Sequence, residues 1–315
     1  MNKSFLEFPL DIFEELIKEI GWESLEEWLF FWEKKDKFLF DLYKLTDNKF
    51  KEDWIWGLLI PLLSDAYKLI GVNSKRKVIG LSALPGTGKT TLGLLLEKIS
   101  LKLNFKISVV SMDDFYLPAK EMEKAINKNP WEVSRGFPGS HSINLLEEKI
   151  LLWKETGILN VPFFDKSLRL GLGDRSYWKK ESPDLVILEG WFLGVNPITS
   201  NSKIKELILP ELTSKELDYR LLIQRNLHSY LKIWKSIDKI WQLKPEKFLY
   251  MKEWKSQQER EMFSKKGSAL KDKKLLDFLR MLYVCIPHQS FDEINSQVLL
   301  ILNQNRKLVW VGKNK

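Results

Sequence analysis

Residues 77–96, KVIGLSALPGTGKTTLGLLL, leave this chain little choice of fold. The run opens with Val78, Ile79 and Leu81, apolar and partly β-branched, as a parallel strand buried on both faces requires. It breaks at Pro85-Gly86-Thr87-Gly88, and Lys89, Thr90 and Thr91 lead into Leu92, Leu94, Leu95 and Leu96 of a buried helix start. A strand feeding a glycine loop that opens a helix is the setting in which a Walker A pattern has physical meaning. Gly86 and Gly88 let successive backbone amides curl into an anion nest, and the helix N-terminus adds partial positive charge. The expected ATP-binding set is therefore Pro85, Gly86, Thr87, Gly88, Lys89, Thr90 and Thr91. Lys89 neutralises phosphate oxygens in this reading, and the Thr90 hydroxyl is a hard oxygen ligand for Mg²⁺. Where the pattern usually opens with glycine this chain has Ala83, whose methyl fits a strand end if φ stays negative. The plainer alternative is an ordinary glycine turn between a strand and a helix.

Two further apolar runs deliver acids to strand ends. Ile107 to Val110 leads directly into Asp113-Asp114-Phe115-Tyr116, and residues 184–190, DLVILEG, deliver Glu189. In open parallel sheets the C-terminal strand edge is where ligands sit. Phosphoryl transfer needs held phosphates, a cation and a positioned acceptor. Glu189 is the expected second Mg²⁺ ligand, and Asp113 the acid that orients and deprotonates an acceptor hydroxyl. Both have a structural alternative as loop or helix caps. Two glycine-marked loops, SRGFPGSH (134–141) and PFFDKSLRLGLGDR (162–175), carry Arg135, His141, Lys166, Arg169 and Arg175, cationic or N–H clamps for a small anionic substrate. Lys255 and Arg260, on the polar helical run KEWKSQQEREMF, are candidates for a lid over the phosphates.

The rest of the chain is read more coarsely. Residues 1–75 form a helical, Trp-rich extension before a catalytic domain at 76–315, with the lid at about 250–268. Asp11 with Glu14, and Ser24 with Glu27, have capping-box spacing, and Gly21 ends the first helix. A third helix, kinked at Pro61, stops at Gly71. LDYRLLI (217–223), DKIWQL and SQVLLILN read as strands, with a short tail through Arg306 and Trp310. The single cysteine, Cys285, excludes an internal disulfide and fits a buried hydrophobe in a reducing cytoplasm. No stretch has the length of a membrane span, and the N-terminus carries acids where a signal peptide is apolar. The net charge of +8 comes from lysines interleaved with glutamates. That pattern marks solvated helix faces better than a nucleic-acid stripe, so no nucleic-acid partner is expected, although an ATP-dependent nucleic-acid-binding ATPase stays open as an alternative.

Taken together, SALPGTGKTTL, SMDDFYLP, RGFPGSH, FDKSLRLGLGDR, VILEGWFLG and WKSQQEREM resemble the P-loop small-molecule kinases of the phosphoribulokinase, uridine kinase and pantothenate kinase superfamily, and more narrowly the plant and cyanobacterial type of D-glycerate 3-kinase, over roughly residues 77–306. The resemblance implies a three-layer α/β sandwich on a five-stranded parallel sheet of order 2-3-1-4-5. It implies ATP and Mg²⁺, with transfer to the 3-hydroxyl of D-glycerate as in photorespiratory salvage; a nucleoside, pantothenate or sugar phosphate is the sibling alternative. It places the catalytic acid on Asp113 rather than Asp114, and adds Asp165 to Arg135, His141, Lys166 and Arg175 as the substrate set. Two positions depart from the family pattern: Ser142 stands where relatives tend to have an acid, and Lys255 where they tend to have arginine.

Overall fold

Strands buried along both faces fix the centre of the sheet. The structure, a computed structural model, describes residues 8–46, 51–71, 75–200, 204, 211–266, 269–270 and 272–314. In chain order the strands are β1 (Lys77–Ala83), β2 (Ile107–Ser111), β3 (Leu159–Asp165), β4 (Asp174–Glu181), β5 (Leu185–Gly190), β6 (Lys239–Pro245), β7 (Val298–Leu302) and β8 (Leu308–Lys313). Six of them form one sheet in the order β2-β5-β1-β6-β7-β8. Every residue of β5, and all but the first of β1, is buried, which is why these segments read as unbroken apolar runs. Neighbours from β2 to β7 are parallel, while β8 runs antiparallel to β7. The sheet is thus mixed, where an all-parallel one was expected. The residues expected as a tail form an edge strand, because the turn at 303–307 folds Leu308 and Val311 back onto the core.

Three other expectations change. Residues 217–223 are not a strand; they lie inside the helix Ser214–Leu227. Thr213 and Glu216 form a complete capping box there, and Tyr219, Ile223 and Leu227 make a buried stripe of helical period. Part of the loop expected at 162–175 belongs to the antiparallel hairpin β3–β4, a separate two-stranded sheet. Asp11 does not cap the first helix, Leu10–Glu19: Pro9 is its N-cap, and Asp11 sits in the first turn, facing the positive end of the helix dipole. Ser24 does cap its helix, accepting from the Glu27 N–H at 3.1 Å, while Glu27 reaches back to the Glu23 N–H. Ahead of Pro61 the helix widens into a π-helical turn at Ile55–Leu59, then continues as Ile60–Gly71. A widened turn there accommodates a residue that offers no N–H to the ladder.

The N-terminal helices share the core of the sheet. Phe13, Trp28, Trp32 and Trp54 are buried in one cluster with Ile79 and Leu81 of β1, Trp241 of β6 and Leu300 of β7. A buried ion pair joins the two parts. Lys239 Nζ donates to Asp65 at 3.0 Å, and the Trp241 indole donates to the other carboxylate oxygen at 2.7 Å. Asp65→Ala leaves Lys239 charged and buried without its carboxylate, and we expect unfolding free energy to drop by about 3–5 kcal/mol in urea titration. Asp65→Leu combined with Lys239→Met is expected to recover most of that loss.

Candidate active site

Strand register brings the acids and the glycine loop to one edge. Glu189 of β5 lies level with Leu81 of β1 on one side and Ser111 of β2 on the other. The glycine loop and the 3₁₀ turn Met112–Phe115 therefore leave the sheet side by side. Ala83 closes β1 outside the left-handed region, while Gly86 and Gly88 have φ of +80° and +110°, which suits glycine alone at no strain. The helix Lys89–Ser100 starts directly from Gly88, with Thr90 and Thr91 exposed on its first turn. Lys89 Nζ donates to the carbonyls of Ala83 at 2.6 Å and Leu84 at 3.2 Å and lies 3.9 Å from Glu189. Burial lowers its pKa, opposed by the carboxylates of Glu189 and Asp113. Asp113 is thus near enough to Lys89 to hold its pKa up.

Asp113 is held on both oxygens. Tyr116 Oη donates to Oδ1 at 2.7 Å and Lys166 Nζ to Oδ2 at 2.6 Å. Burial pushes this carboxyl up, but the Lys166 ammonium, His141 and the Tyr116 hydroxyl together outweigh it and keep Asp113 well below the usual carboxylate range. Asp114 behaves oppositely. Burial and the adjacent Asp113 push it up to about 6, although it accepts the Phe164 N–H at 3.2 Å. A carboxyl whose folded pKa is raised costs stability as pH climbs through that value. Asp114→Asn is accordingly expected to melt higher than wild type near pH 8, the gain fading towards pH 4, in thermal scans across pH.

His141 stacks on Tyr116 with ring centroids 4.6 Å apart. Its Nδ1 is 2.8 Å from Tyr230 Oη, which already accepts the Gly139 N–H at 2.9 Å. With that acceptance Tyr230 keeps its own proton to offer Nδ1, and in the tautomer where it does so the imidazole carries its proton on Nε2. Burial lowers His141 to about 4, so this ring is a neutral donor at physiological pH. Nothing local in the sequence marked Tyr230, which arrives from the 3₁₀ turn His228–Tyr230.

The remaining expected clamps divide. Lys166 meets Asp113, as above. Arg135 instead holds the β3–β4 turn, donating to the carbonyls of Leu172 at 2.6 Å and Gly171 at 3.0 Å. Arg175 donates to Ser142 Oγ at 2.6 Å and to the Tyr116 carbonyl at 3.2 Å, so Ser142 serves it as a neutral acceptor. Arg169 pairs with Glu123, and Asp165 accepts from the N–H and hydroxyl of Ser167 within its own turn. Lys255 pairs with Glu259 at 2.5 Å; burial lowers its pKa, and it also feels Lys166 and Asp113. Arg260 lines a neighbouring groove of about 770 Å³ with Trp254, Gln257, Gln304, Asn305 and Arg306. The groove adjoins the glycine loop, since Arg306 Nε donates to the Gly86 carbonyl at 2.9 Å. Residues 267 and 268 of the expected lid lie outside the described residues. No helix among the described residues is long and apolar enough to cross a membrane.

No family model matches the chain. An uncharacterized kinase, mug58, of Schizosaccharomyces pombe is 30% identical over 214 residues, 64% of this chain and 76% of that protein. The chloroplastic D-glycerate 3-kinase of Arabidopsis thaliana is 31% identical over 279 residues, 82% of this chain and 59% of that enzyme's length. The solved structure of D-glycerate 3-kinase from Cryptococcus neoformans var. grubii matches 81% of this chain and 99% of its own, with a TM-score of 0.72 and 25% identity. With this fold and these relatives, the chain belongs to the D-glycerate 3-kinase family of P-loop kinases.

Proposed function

We propose that this chain transfers the γ-phosphate of ATP to the 3-hydroxyl of D-glycerate. The observation that carries the reading is the shared sheet edge: β1, β2 and β5 end together there, Lys89 Nζ lies 3.9 Å from Glu189, and Lys166 Nζ meets Asp113 at 2.6 Å. The loop amides and the helix dipole receive the triphosphate. Lys89, resting on two neutral carbonyls, gains charged acceptors when phosphate oxygens arrive. The groove beside Trp254 and Arg306 takes the nucleoside half.

Thr90 and Glu189 are hard oxygen donors of the kind Mg²⁺ uses alongside substrate phosphates, and Thr90 stands exposed on the first turn of the helix that follows the glycine loop. When bound, Mg²⁺ neutralises charge on the phosphates. Asp113 orients the acceptor hydroxyl and takes its proton late, since a loose transition state asks little of a base. His141 donates from Nε2 to the acceptor, and Lys166 offers the cation that meets a carboxylate.

The test is ADP release with D-glycerate against L-glycerate, uridine, pantothenate and ribulose 5-phosphate. D-Glycerate is expected to give the highest kcat/KM. A higher value with any of the others would move the assignment to a sibling substrate.

A further inference from the structure

The Trp-rich extension reaches the nucleotide loop through one turn. Between β7 and β8, the turn at 303–307 has its carbonyls held by two indoles from separate parts of the chain. Trp54 Nε1 donates to the Arg306 carbonyl at 2.6 Å, and Trp254 Nε1 to the Gln304 carbonyl at 2.7 Å. Beside Trp54, the Asp53 carboxylate accepts the Leu308 N–H at 2.8 Å. Arg306 is left-handed, φ +57°, a conformation that a non-glycine residue keeps only when its surroundings impose it. That backbone sends the guanidinium across to the Gly86 carbonyl at 2.9 Å, with further bonds to Gln257 and to the Trp254 carbonyl. The loop is confined there: a Cβ on Gly86 would lie 2.6 Å from the Trp254 backbone, and one on Gly88 3.7 Å from the Trp54 ring.

We propose that Trp54 is a positioning residue for nucleotide binding, acting through Arg306 to fix the orientation of the Gly86–Thr87 peptide. This rests on the kinase reading above. A nest binds an anion only while its peptides turn N–H groups inward; a rotated peptide presents carbonyl oxygen to phosphate oxygen. The Thr87 N–H of that peptide rests on the Leu84 carbonyl at a long 3.4 Å, the guanidinium holds its Gly86 oxygen to one side, and Trp54 holds the strained residue that carries the guanidinium. The extension is thereby part of the phosphate site without touching substrate.

The experiment is calorimetric titration of the full chain with Mg²⁺ and either a non-hydrolysable ATP analogue or inorganic tripolyphosphate. Three variants are compared with wild type: Trp54→Phe, Arg306→Ala and the two combined. Trp22→Phe is the control, because the Trp22 indole N–H is buried without a hydrogen-bond partner among the described residues. Trp54→Phe is expected to weaken both ligands by about 5- to 20-fold, with Trp22→Phe within about twofold of wild type. In turnover assays the KM for ATP is expected to rise while that for the acceptor stays within about twofold. The double variant is expected to lose no more than Arg306→Ala alone, as one chain of contacts requires.

Equal affinity of wild type and Trp54→Phe overturns the proposal, and so do equal losses in Trp54→Phe and Trp22→Phe, or additive losses in the double variant. If Trp54→Phe does not fold, Arg306→Ala decides: unchanged tripolyphosphate affinity overturns the proposal. A wild type that binds no ATP analogue overturns the kinase reading itself, and this inference with it.

Discussion

Lys89→Ala is expected to lower kcat/KM by about 10³-fold, measured as ADP release at saturating acceptor. Phosphoryl transfer draws its catalysis from charge placed where the equatorial oxygens build it up, and Lys89 supplies the cation in this loop. Its ammonium is already desolvated and aimed by two backbone carbonyls, so little reorganisation is needed at the moment of transfer. Removing it also leaves Glu189 and Asp113 facing the nucleotide's own negative charge. Full activity in the variant would remove Lys89 from the phosphate site.

Asp113→Asn is expected to lower turnover by about 10²–10⁴-fold while affinity for an ATP analogue stays within about threefold of wild type. Lys166 and Tyr116 keep this carboxylate ionised and weakly basic, which suits a group that aims a hydroxyl more than one that strips its proton early. Asparagine still accepts from Tyr116 but loses the charge that pairs with Lys166. A collapse of nucleotide affinity instead would place Asp113 on the wrong substrate.

What the sequence made legible was local. Asp113 comes two residues after β2, Glu189 is the penultimate residue of β5, and Lys89 opens the helix after the loop that leaves β1, so motif and strand end coincide within a few residues. The central strands β1 and β5 were readable because burial on both faces leaves them few polar positions. The run at 217–223 ends in Leu221, Leu222 and Ile223 in the manner of a strand, and the Thr213–Glu216 cap and a helical stripe distinguished it. Hairpin β3–β4 was obscured because its outer strand is largely exposed and charged, giving no buried face to detect. Contacts between distant segments left no trace at all. Trp54 and Arg306 are 252 positions apart, and Tyr230 meets His141 across 89. Nor could spacing say which cations face the cleft: Arg135 and Arg175 carry the right charge, but each is engaged in holding loops.

Hairpin β3–β4 shares no backbone pairing with the main sheet, yet it brings Lys166 to Asp113. Arg135 at its turn and Arg175 along β4 fasten it to the neighbouring loops by side chains. On the proposed chemistry, the cation that meets the acceptor's carboxylate rides on a unit with its own backbone pairing, while Asp113 and His141 stay outside it. Grafting a foreign hairpin between Leu159 and Glu181, with Lys166 and those two arginines retained, is therefore a rational route to retargeting the enzyme while Asp113 keeps its ionic partner.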